Sequence, residues 1–157
     1  MAPHPSLAPV ASLIGTWRGP GRGEYPTISP FEYTEEVTFA DVGKPFLHYV
    51  QRTRSPANAP MHMETGFLRV TGEGVVEFVL AQPTGQTELA EGRLAAGGDG
   101  FSAELRSRVV NSGSAKQVEA TVRGLELSGD TLVTTFAMAA VGVPMTHHLR
   151  SELRRVE

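Results

Sequence analysis

Gly15-Thr16-Trp17-Arg18-Gly19-Pro20-Gly21-Arg22-Gly23-Glu24-Tyr25-Pro26-Thr27-Ile28 holds the only tryptophan of the chain and its densest glycines. A glycine-rich run can cradle phosphate where it follows a strand and opens a helix, because the helix N–H groups then point at the ligand. Here Pro20 and Pro26 remove backbone donors, and residues 25–33 are rich in proline and aromatics, so no helix opens after the run. The stretch reads instead as the first strand of a small all-β chain. Trp17 lies across one end of a barrel. The later glycines let the strand bend, or let another group approach its backbone closely. Taken alone, these features fit a purely structural role equally well, with Trp17 plugging the floor and the glycines turning a corner.

Outward from this run the pattern is short strands and turns. Phe31–Phe39 is β-branched and aromatic with partial alternation, and Asp41-Val42-Gly43 ends it. Further runs cover 46–53, 61–70, 75–81, 87–95, 101–109, 118–127, 131–139 and 143–156. Ser55–Pro60, Thr71–Gly74, Pro83–Gly85, Gly97–Gly100 and Ser128–Asp130 carry the turn residues between them. About ten strands at this spacing predict one antiparallel up-and-down β-barrel, with a lumen wider than side chains alone would fill. Residues 1–9 read as a loose tail, because prolines and small residues cannot build a core. A short helical turn over 9–13 would follow and cover the floor.

At 157 residues one domain, 1–157, is the default. There is no cysteine, which excludes disulfides, thiolate zinc sites and a cysteine nucleophile. The net charge of −3 carries no basic patch, so nucleic acid is not an expected partner. The first 13 residues lack the charged start and apolar run of a signal peptide, and no stretch approaches a membrane span, so the chain reads as soluble and cytoplasmic.

The opening run resembles the signature of the nitrobindins, haem-binding β-barrels related in shape to lipocalins and fatty-acid-binding proteins. The resemblance continues through Phe31-x-Tyr33-x-Glu35-Glu36, Gly43-Lys44-Pro45-Phe46-Leu47, Pro60-Met61-His62-x-Glu64-x-Gly66-Phe67, Ala81-Gln82-x-Thr84-Gly85 and Met138-Ala139-Ala140-Val141-Gly142, and closes on His147-His148-Leu149. It covers nearly the whole chain in order. It implies a ferric haem b, one per chain, that isomerises peroxynitrite to nitrate and binds nitric oxide reversibly. Related domains are often dimers, so a homodimer is among the expectations.

Haem needs an axial donor, an apolar slot and partners for its propionates. The chain has five histidines, His4, His48, His62, His147 and His148. His4 falls in the tail, and His48 reads as a wall or surface residue. His147 and His148 are adjacent on one strand, so only one can enter the lumen. The resemblance implies His148 as the proximal ligand. Period-two alternation disagrees: Leu149 and Leu153 share the face of His147, whereas His148 shares its face with Arg150 and Glu152. A bulge near Pro144, or leucines packed outside the barrel, would remove the conflict. The resemblance places Met61 and His62 near the distal side of the haem and Thr27 beside it. Lys116 and Arg123 are candidates to meet the propionates, since a cation offsets carboxylate charge. Gln82 lines the cavity or belongs to a turn. Glu35 and Glu36 cannot act on one bond, because neighbours on a strand face opposite ways. No Ser-His-Asp arrangement or carboxylate–histidine metal cluster stands out. The reading from another class is a haem-free, lipocalin-like carrier of a fatty acid or other apolar molecule, since fold alone does not choose.

Overall fold

Turn residues divide the chain into strands of 8 to 14 residues. The computed structural model describes residues 1–157. A 3-10 helix, Pro5–Leu13, leads into β1 (Gly15–Tyr25), β2 (Ile28–Asp41), β3 (Leu47–Arg54), β4 (Pro60–Val70), β5 (Val75–Gln82), β6 (Gln86–Gly97), β7 (Gly100–Asn111), β8 (Val118–Ser128), β9 (Thr131–Ala140) and β10 (Val143–Arg155). Each strand pairs antiparallel with its neighbours in sequence, and β1 pairs with β10 to close a ten-stranded barrel. Closure leaves no free sheet edge. The up-and-down barrel expected from the strand spacing is the one formed. No helix is long and apolar enough to cross a membrane.

The helix begins earlier than the composition suggested. Residues 5–9, expected in a loose tail, lie within it, and Leu7, Val10 and Leu13 are fully buried. Pro9 cannot donate an i−4 hydrogen bond, which disfavours an α-helix. The 3-10 form still drives three apolar side chains into the barrel end. There they join Trp17, Phe39, Leu47, Leu68, Leu132 and Leu153. The Trp17 indole N–H donates to the Leu13 carbonyl at 2.9 Å, and Arg155 packs over the indole at 4.2 Å while donating to the Ser12 and Ile14 carbonyls. Leu7→Ala should cost about 2–5 kcal/mol, as other large-to-small core changes do. Urea unfolding would measure it; a loss under about 0.5 kcal/mol, the surface range, would mean the segment is only loosely attached.

The barrel interior is layered, because every second residue on a strand faces inward. On β2 the inward series runs Phe31, Tyr33, Glu35, Val37, Phe39. Above the apolar floor lies a polar belt that includes the buried Glu35, Gln51, Glu64, Glu88, Thr121 and Ser151. Above the belt lies the mouth.

Candidate functional site at the barrel mouth

The inward residues of β1 are Trp17, Gly19, Gly21, Gly23 and Tyr25. A tryptophan at the floor and a tyrosine at the mouth thus bracket a wall without side chains. The two strands explain each other there. A Cβ at Gly23 would clash with the ring of Phe31, and one at Gly21 with the ring of Tyr33. The aromatic rings of β2 lean across the bare wall of β1, and this close approach is why glycine is needed.

On β10, His147 pairs with Ala137 and Leu149 with Phe136, so His148 is the extra residue of a β-bulge. A bulge resets the alternation that follows it. Leu149 lines the lumen and Leu153 is fully buried, yet His148 also lines the lumen while His147 is exposed. Two consecutive residues share the inner side because one bulge falls at His148 itself; a second register shift, between Val143 and Thr146, flanks Pro144, where the sequence led us to expect one.

His148 Nδ1 bonds to the Glu24 carbonyl oxygen at 2.9 Å. A carbonyl only accepts, so the proton sits on Nδ1, and Nε2 keeps its lone pair. Glu24 is available because pairing between β1 and β10 ends at Gly23 and Leu149. Three aromatic rings surround the imidazole, with centroid distances of 5.2 Å to Tyr25, 6.2 Å to Phe31 and 6.1 Å to Phe136. The Tyr25 hydroxyl donates to the Met138 carbonyl at 3.0 Å, which fixes that wall. Burial lowers the His148 pKa from its ordinary 6.5, opposed by the bond to Glu24 and helped by the charges of His147 and His62. The neutral imidazole required of a metal ligand is therefore the stable form at neutral pH.

The cavity below and around this ring is about 870 Å³. That lies toward the upper end of the ~300–1,000 Å³ typical of small-molecule sites. Its upper wall is apolar, from Ile28, Phe31, Met61, Phe136, Met138 and Leu149. Met61 and His62 line it on β4, and the His62 backbone N–H donates to the Thr53 hydroxyl at 3.0 Å. Thr27 lines the rim in the exposed turn between β1 and β2, and Lys116 lines it before β8, also exposed. His48 faces outward, 3.2 Å from the Thr65 hydroxyl, in the wall role expected of it.

Arg123 is not with Lys116. Its guanidinium lies in the belt, donating to Glu64 at 2.8 and 3.1 Å and to Glu88 at 2.5 and 3.1 Å. Those four bonds commit the group to two carboxylates inside the protein. Burial alone would push Glu64 up, but the Arg123 charge and its contacts, with His62 at 3.6 Å, hold it well below the ordinary carboxylate range. Gln82 lines the cavity and donates to Glu88 at 3.2 Å. Glu36 faces out to Arg18 and Glu35 faces in, as strand alternation predicts.

Sequence reasoning passed over Glu64, Glu88 and the ring partners of His148. Glu64 was within reach, since it stands two residues from His62 and so faces the same side. The Glu24 carbonyl had no signal, because a backbone oxygen has no letter of its own.

Glu35 has no cation beside it. Burial raises its pKa, and hydrogen bonds to Ser151, Gln51 and Thr134 only partly oppose this, with Glu64 adding to the rise. The folded state therefore holds this proton more tightly than the unfolded chain does. The resulting stability is complete below the ordinary ~4.3 and is lost as pH rises through the folded value. Glu35→Gln should match the wild type near pH 4 and become the more stable of the two near pH 7.5. Urea midpoints at both pH values decide it; an equal loss at both would place the ionised carboxylate in the native state.

A model of the THAP4-like, heme-binding beta-barrel domain matches residues 6–155. The chain belongs to that family. Among its relatives, peroxynitrite isomerase 2 of Mycobacterium marinum is 50% identical over 154 residues, 97% of this chain and 96% of the relative. The peroxynitrite isomerase of Nocardia farcinica is 47% identical over 157 residues, 99% and 94% of the two chains. The crystal structure of Rv2717c from M. tuberculosis superposes with a TM-score of 0.96 at 45% identity, covering 99% of this chain and all of that one.

The residues of this member of the family suit a haem. His148 has a protonated Nδ1 tied to the backbone and an unprotonated Nε2. A backbone acceptor of this kind sets the tautomer and orientation of a metal-bound histidine. The apolar upper wall, from Ile28, Phe31, Met61, Phe136 and Met138, offers the slot that a flat, largely apolar group needs.

Proposed function

We propose that the protein holds one ferric haem b per chain on His148 and isomerises peroxynitrite to nitrate. The observation that carries this is the His148 imidazole, tied at Nδ1 to the Glu24 carbonyl, caged by three aromatic rings and open at Nε2. The relatives named as peroxynitrite isomerases supply the substrate.

His148 would hold the iron, with Met61, His62 and Thr27 around the haem. Lys116, free at the rim, suits a propionate better than Arg123 does. Bound haem supplies an electrophilic iron at which the peroxide bond of the substrate can rearrange. Peroxynitrite and nitrate are isomers, so the conversion needs no net proton or electron. The protein's part is positioning and enclosure. The Glu24 carbonyl orients the ligand, Tyr25, Phe31 and Phe136 keep water from the imidazole, and the apolar wall holds the reacting fragments together. Haem iron held in this way would also bind nitric oxide reversibly.

A fatty-acid carrier has no use for a lumen imidazole whose tautomer is set by a backbone carbonyl, which favours the haem reading. We place the protein in the cytoplasm. A second copy would cover the outer apolar face, where Met63, Phe67 and Val79 are 41–46% exposed.

Hemin titration tests the proposal. A Soret band saturating at one equivalent, with five-coordinate histidine features and faster peroxynitrite decay in stopped flow, is expected. A flat spectrum would overturn it and leave the apolar carrier. A Soret band without faster decay would retain the haem and remove the isomerase.

A further inference from the structure

Arg123, Phe136 and Leu149 are successive cross-strand partners on β8, β9 and β10, and the bulged His148 stands beside Leu149. The row continues through Gly23 to Phe31, so it encircles much of the mouth. Within it the Arg123 guanidinium lies over the Phe136 ring at 4.8 Å, and that ring is 6.1 Å from the His148 imidazole. Arg123 also reaches across the lumen to Glu64 on β4 and Glu88 on β6, strands that do not pair with β8. Tyr49 and Gln82 complete the Glu64 carboxylate at 3.0 and 3.5 Å.

Stability is a poor explanation for this cluster. A buried ion pair can often be replaced by apolar side chains at no loss, because desolvation cancels the attraction. Such a cluster does fix geometry: a planar guanidinium held by four hydrogen bonds has no rotational freedom left. The other two rings around His148 have their own restraints. The Tyr25 hydroxyl is bonded to Met138, and Phe31 lies across Gly23. Phe136 has Arg123.

We infer that Arg123 is a positioning residue for the iron ligand: braced by Glu64 and Glu88, it fixes the Phe136 ring, which fixes the plane of His148. This rests on the haem reading above and goes beyond it, since it gives Arg123 a role that is not propionate binding. The effect is mechanical and local, so it acts on the iron–histidine bond.

The test uses haem-loaded protein. Arg123→Lys keeps the charge and loses the planar stack, whereas Phe136→Leu removes the ring. Each should retain a Soret band, broaden or lower the iron–histidine stretching band of the ferrous form in resonance Raman spectra, and speed hemin transfer to apomyoglobin by about 10–100-fold, the range for partners of a metal ligand. Phe136→Tyr should restore the wild-type band. The double variant should release hemin no faster than the worse single variant, because the two residues act in series. An unchanged band in Arg123→Lys, or release rates that multiply, would overturn the inference. Should Arg123→Lys not fold, Glu88→Gln loosens the same brace and must give the same band shift. Absence of a Soret band in the wild type is a different failure, that of the haem reading.

Discussion

His148→Ala should yield a folded barrel that no longer retains hemin. Changing a partner of a metal-bound histidine costs about 10–100-fold in affinity, so losing the ligand itself should cost more than about 100-fold, and peroxynitrite decay should fall to the rate with free hemin. The neighbouring His147→Ala is the informative control. His147 is exposed on the outer side of β10, and its removal should leave the Soret band, the affinity and the decay rate unchanged. The reverse outcome, retention in His148→Ala and loss in His147→Ala, would mean that the bulge on β10 does not form as described. Acid should mimic the first variant. The His148 pKa lies below 6.5, so protonation competes with iron only below that pH, and retention should be complete at pH 7 and fall on acidification beneath 6.5.

Gly23→Ala should damage the same site from the opposite strand. The added methyl would occupy the space of the Phe31 ring, which must then leave its position 6.2 Å from His148. Overpacking of this kind costs about 1–3 kcal/mol. For a chain of this size that is a fall of roughly 2–12 °C in Tm. Hemin affinity should fall with it, because the displaced ring enters the slot. Gly97→Ala is the control, since a Cβ there meets nothing within 4 Å and the backbone is not left-handed. Calorimetry and hemin titration on the pair would check both parts. A Gly23→Ala protein as stable and as haem-competent as Gly97→Ala would show that Phe31 can move at no cost and that the bare wall is not required.

Much of the architecture could be read directly. Strand lengths, turn residues and the position of Trp17 depend on local alternation and backbone preference, which each segment expresses by itself. The glycines of β1 were legible as a place of close approach, but not what approaches, because Phe31 and Tyr33 belong to another strand. The helix over residues 5–13 was missed in part for the same reason. Proline and alanine argue against a core, yet Leu7, Val10 and Leu13 need only one barrel end to be buried.

His148 marks the boundary most clearly. Alternation alone favours His147 if Leu149 and Leu153 face inward, and both leucines do. The bulge at His148 reverses the outcome by letting two consecutive residues face the lumen. A bulge arises from the register between two strands, so its presence at His148 could not be fixed from the residues of β10 alone. Arg123 is similar. From sequence it was one cation among fourteen Lys and Arg, suited to meet a propionate. Folding brings Glu64 and Glu88, 59 and 35 residues away in the chain, to its guanidinium.

The amino-acid sequence by itself determined the all-β class, the strand and turn order, the lack of any cysteine chemistry and the family. These follow from residue type and short-range spacing. Tertiary structure alone decided which histidine faces the lumen, which nitrogen of its ring is free, and which cation is already bonded to carboxylates. Each depends on atoms that meet only after the barrel closes, where register, burial and charge compensation are set between distant strands.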